Sequence, residues 1–69
     1  MKLIYVADGC NDDREAMKQY LELSGFEVQA FEELHGLQVA LNKQAPDLLL
    51  LEVHHSDGDG FTFLKKMKQ

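Results

Sequence analysis

Two short stretches hold most of the residues able to do chemistry, "ADGC" at positions 7–10 and "EVHH" at 52–55. Asp8 and Glu52 bring carboxylates, the oxygen ligands that hard cations such as Mg2+ prefer. Cys10, His54 and His55 bring sulfur and nitrogen, which suit Zn2+ or another transition metal. If the fold brings them together, Asp8, Cys10, Glu52, His54 and His55 form a candidate metal set. Successive side chains of an extended segment point opposite ways, so only one of the two histidines would face a shared pocket.

Each of these groups also has a plain structural reading. Asp8 suits a helix entry, where an acid meets the positive end of the dipole. Glu52 suits a solvated strand end, His54 and His55 a surface pair, and Cys10 an inert thiol. His35 reads as a surface residue. "DGDG" at 57–60 resembles part of a calcium loop but lacks the spacing and the closing Glu. It reads as a turn, with Asp59 as the cap of a following helix.

The elements that must position these groups follow from patterning. "KLIYVA" (2–7) is apolar, β-branched and aromatic, and reads as a strand. "NDDREAMKQYLELSG" reads as a helix with Met17, Tyr20 and Leu21 on its apolar face and a glycine stop. Asp12 and Glu15 have the spacing of a capping box at its start. "FEVQAF" (26–31) alternates in part and reads as a second strand. "EELHGLQVALNKQ" (32–44) places Leu34, Leu37 and Leu41 on one helical face, weakened by Gly36. "DLLLLEV" (47–53) reads as a third strand, apolar on both faces as in a covered parallel sheet. "FTFLKKMKQ" reads as a final helix with Phe61, Leu64 and Met67 inward.

Strand and helix alternate throughout, which implies a parallel α/β sheet with helices on both faces. Right-handed crossovers give the strand order 2-1-3, with a switch point between strands 1 and 3. Ligands in such sheets bind outside the carboxyl ends of the strands at that point. Asp8, Gly9, Cys10, Glu52, His54 and His55 are therefore expected on one rim.

Composition limits the function classes. The 69 residues allow one small domain, and 45% hydrophobic content is that of a globular chain. A formal charge of −5 argues against nucleic acid or an anionic membrane as a partner. The longest apolar run is too short to span a bilayer, and the N-terminus does not read as a secretory signal. The one cysteine, Cys10, forms no internal disulfide, and a cytoplasmic setting is expected.

"KLIYVAD", "DREAMKQYLELSGFEVQAF", "APDLLLLEV" and "DGDGFTFLKKMK" together resemble the receiver domain of two-component response regulators, a flavodoxin-like fold used in phosphorelay signalling. The match covers the whole chain but only the first three strands and the start of the third helix of that family. Residues 1–69 thus read as one truncated receiver-like domain. The resemblance implies phosphoryl transfer to an aspartate at the end of strand 3. A pair of acids after strand 1 would hold Mg2+, and a Ser/Thr and a Lys beyond this chain would contact the phosphoryl oxygens. Here Asp8 matches the first acid, Gly9 stands in place of the second, and Glu52 stands at the phosphoacceptor position. The His54 carbonyl matches one that completes the metal shell. His54, His55 and Ser56 replace a hydrophobic pair and a proline.

A glutamate carries its oxygen one methylene further out than an aspartate, and in-line geometry tolerates little displacement. The expectation is a degenerate, non-catalytic signalling or protein-interaction module: a pseudo-receiver that shed its chemistry, or a rebuilt site on a receiver fragment. A metal-binding protein and a receiver that still accepts phosphate are the alternatives. With no fourth strand, 47–53 becomes a long apolar sheet edge, a liability for a monomer. A homodimer through that strand or through helix faces is therefore expected, alongside a histidine kinase or output protein as partner.

Overall fold

The computed structural model describes residues 2–67. Its elements are β1 (Leu3–Ala7), α1 (Asn11–Leu23), β2 (Glu27–Phe31), α2 (Leu34–Lys43), β3 (Leu48–Leu51), β4 (His54–His55), β5 (Gly58–Asp59) and α3 (Gly60–Met67). The first three strands form one parallel sheet in the order β2-β1-β3. The order and helix placement are those the alternation implies. The loop after β3 differs from expectation. It folds back on itself, and β4 pairs antiparallel with β5 in a two-stranded hairpin.

β1 is buried along its whole length. Its side chains alternate between two cores. Leu3, Tyr5 and Ala7 join Leu34 and Leu37 of α2, with Leu49, Leu51 and Phe63 packed around them. Ile4 and Val6 join Val28, with Leu21, Phe26 and Leu50. α2 and α3 thus cover one face, and α1 alone covers the other. Tyr5 is only 1% exposed, so its hydroxyl needs a partner. It donates to the Gln44 carbonyl at 2.9 Å, at the open end of α2. The Tyr5 and Phe31 rings meet edge to face at 5.4 Å. Asp47 closes the opposite end of the β1–β3 ladder, its Oδ2 accepting from the Leu3 N–H at 2.7 Å.

Four local expectations change. The first helix does not use a capping box. Cys10 is its N-cap and makes no side-chain cap bond, while Asp12 and Asp13 lie in the first turn near the positive dipole end. The stripe on α1 is shallow. No α1 residue is fully buried, Leu21 reaches the core, and Tyr20 is 69% exposed. β3 is not covered on both faces, because Leu48 is 50% exposed on the side where α1 stands alone. In α3 the inward residue is Phe63, and Phe61 points outward. The helix docks through Gly60, buried against the Glu52 main chain with its N–H donating to the Val53 carbonyl at 2.7 Å, and Phe61 follows about 100° further round.

Other signals hold. Gly25 ends α1 with φ +96, a conformation that favours glycine. Asp59 caps α3 by accepting from the Phe61 N–H at 2.8 Å.

Two glycines separate packing from helix propensity. A Cβ on Gly60 would stand 2.5 Å from the Glu52 carbonyl oxygen, so the backbone must move. A Cβ on Gly36 would meet only the Phe31 ring, at 3.5 Å. Gly60→Ala should destabilise by about 1–3 kcal/mol, and Gly36→Ala should stabilise by up to about 1 kcal/mol. Urea midpoints measured side by side check both signs.

Candidate functional site

The rim forms where β1 and β3 end side by side. Ala7 pairs with Leu51 in the parallel register, and the Glu52 N–H donates to the Ala7 carbonyl at 2.9 Å. This last ladder bond sets Glu52 beside the start of the β1–α1 loop. Asp8, Gly9, Cys10, Glu52, His54 and His55 line an open depression of about 510 Å3, with Asp13 and Ser56 at its edge. The five candidate residues therefore share one surface.

Their engagements differ. Asp8 is half-buried, and its Oδ1 accepts from the Cys10 N–H at 2.9 Å, which folds the loop into α1. Arg14 braces the same loop. Its Nη1 donates to the Asp8 carbonyl at 2.8 Å and its Nη2 to Asn11 Oδ1 at 2.5 Å. Cys10 is an exposed free thiol. Glu52 and His54 are exposed, and His55 is half-buried.

The His55 ring lies between two main-chain carbonyls. Nε2 is 2.7 Å from the Glu52 oxygen and Nδ1 is 3.1 Å from the Glu32 oxygen. A neutral imidazole has one N–H, so one of these two carbonyls accepts from the ring and ties the loop down. Among the described residues, no three His, Cys, Asp or Glu side chains gather closely enough to hold a metal ion. For Mg2+ the depression offers the carboxylates of Asp8 and Glu52, with Asp13 at its edge, and Gly9 supplies none.

Asp57 is the polar residue whose role sequence reading missed. Its Oδ1 accepts from the Leu34 N–H and its Oδ2 from the His35 N–H, each at 2.8 Å. It thereby caps α2 from across the fold. The local candidate, Glu33, sits at the N-cap position and makes no cap bond. Sequence proximity carried no sign of this, since the capping rule looks only at residues adjoining a helix.

No family model matches the chain. It is 30% identical over 66 residues to the DNA-binding transcriptional regulator NtrC of Proteus hauseri, an alignment covering 96% of this chain and 14% of that protein. It also matches the crystal structure of the N-terminal domain of a response regulator receiver protein from Methanoculleus marisnigri JR1. There the TM-score is 0.91 and the identity 26%, over 100% of this chain and 56% of that one. The chain is homologous to a response regulator and has the fold of part of a receiver domain. It spans about half of the solved receiver chain and a small part of the curated relative. Among the described residues, no helix is long and apolar enough to cross a membrane.

The Asp57 cap has a pH signature. Main-chain N–H bonds from Leu34, then His35, hold its carboxyl below the ordinary 3.8. Its folded value is thus lower than its unfolded one, and the unfolded chain binds the extra proton first as pH falls. The contribution is complete above about pH 4 and is lost as pH drops through the lowered value. Acid titrations of stability should therefore be steeper below pH 4 for the parent chain than for Asp57→Asn. Equal slopes would remove the cap from the folded-state account.

Proposed function

We propose that this receiver-like chain is a non-catalytic signalling and protein-interaction module that self-associates. The observation that carries the first part is the pair Gly9 and Glu52, both lining the rim depression at positions where the family resemblance calls for two aspartate-type acids. With Gly9 where the resemblance calls for a second acid, the site has less negative charge with which to hold Mg2+ against a transferring phosphoryl group. With Glu52 in the acceptor position, the attacking oxygen is displaced from where that geometry puts it. The module then acts through its surfaces, with a histidine kinase or an output protein as the partner class. Nucleic acid and membrane are not its targets, given its formal charge of −5. Residues 1–69 act as a single receiver-like domain in the cytoplasm, a setting that suits the exposed Cys10 thiol.

Self-association is supported by the sheet. β3 pairs with β1 on one side and is an edge on the other. Leu48 on β3 and Met17 and Tyr20 on α1 expose apolar surface on the same side of the molecule. A two-fold axis would set two β3 edges antiparallel and extend the sheet to six strands, or would join two such helix faces.

Two measurements test the reading. Incubation with a small-molecule phosphodonor and Mg2+ should leave the intact mass unchanged, and a gain of one phosphoryl group would overturn the non-catalytic assignment. In sedimentation velocity the chain should shift from monomer to dimer as concentration rises through the micromolar range. A compact, folded monomer across that range would sink the dimer. A Zn2+-dependent rise in melting temperature, lost in Cys10→Ala, would move the assignment to a metal-binding protein.

A further inference from the structure

The β4–β5 hairpin forms one wall of the rim depression and packs against α2 on its other side. On the rim side its main chain runs close to Gly9. A Cβ there would stand 3.1 Å from the His54 carbonyl oxygen and 3.8 Å from His55 Cα. On the α2 side the hairpin is pinned repeatedly. Asp57 holds the Leu34 and His35 N–H groups, Ser56 Oγ donates to Glu33 Oε2 at 3.2 Å, and His55 reaches the Glu32 carbonyl. Gly58, at φ +155, lies so close to Leu34 that a Cβ there would be 3.0 Å from its Cδ1.

We propose that this hairpin is a strap that relays displacement at the rim to the first turn of α2. Two features make the relay physical. α2 has no side-chain cap of its own at Glu33, so its first turn has two states, capped by Asp57 or uncapped. The hairpin that carries Asp57 has the β1–α1 loop as its other neighbour, through Gly9. Pressure on the Gly9–His54 contact therefore shifts the cap before it disturbs the sheet. The coupling holds whatever presses there, whether or not the chain self-associates or the rim takes a phosphoryl group. Asp57 acts in it as a positioning residue. Linkage makes the coupling reciprocal, so uncapping α2 must also move the rim.

The test uses Gly9→Ala, Asp57→Ala and the double variant, with amide proton exchange read by NMR. Gly9 has no positive φ, so alanine fits its backbone and adds only the contact with the hairpin. Asp57→Ala should speed exchange at Leu34 and His35 about fivefold, the effect of losing an ordinary cap. Gly9→Ala should speed the same two amides at least about twofold, with the Phe26 amide at the end of α1 unchanged. In the Asp57→Ala background, Gly9→Ala should add nothing. Equal effects of Gly9→Ala in both backgrounds, or none at Leu34 and His35 in either, would overturn the strap. If Gly9→Ala fails to fold, the reciprocal measurement decides. Asp57→Ala must shift the Gly9 and Cys10 amide resonances, and unmoved resonances there reject the coupling.

Discussion

The structure depends on β1 being satisfied on every side at once. Its main chain bonds to β2 and to β3, and its side chains feed two separate cores. In a chain this short, one strand has to organise most of the apolar burial, because a small domain buries a lesser share of its surface. Tyr5 carries this furthest. It fills the larger core with its ring and satisfies the end of α2 with its hydroxyl. The carboxyl ends of β1 and β3 then have one place to go, and the rim is a by-product of that packing.

The two faces of the sheet are unequal. Two helices and a hairpin press on one side, and α1 alone on the other. The half-exposed Leu48 and the outward Met17 and Tyr20 all belong to the lean side. The rim belongs to neither face. It stands at the sheet's end, braced by Arg14 on the α1 side and by the hairpin on the α2 side.

Periodicity and topology were legible because they are local or nearly so. The leucines of α2, the apolar β1 and the glycine after α1 each announce their element within a few residues. The strand order then followed from crossover handedness. The rim was legible at one remove, since a switch point names the loops that meet there. Three things were not legible. Asp57 caps a helix from 22 residues or more away, and no spacing rule looks that far. The hairpin at 54–59 is too short to show a strand pattern. The depth of the α1 stripe depends on what covers it, and an amphipathic pattern says which side turns inward without saying how much is buried. Placing Phe61 inward failed for a related reason, because which residues of a short amphipathic helix meet the core depends on how it docks, and α3 docks through Gly60 and Phe63.

The central position of β1 also governs the order of events when the chain is made. β1 is the first strand to be synthesised, yet both of its partners come later, at residues 27–31 and 48–51. No ladder can close until the first crossover is complete, and the second core cannot close until the leucine strand has appeared. Until residues 27–31 appear β1 has no strand to pair with, and its second edge stays open until residues 48–51 follow. The sheet therefore closes in two steps, β2 first and the leucine strand second. The interval in which this sequence is most exposed to wrong partners comes before the fold exists.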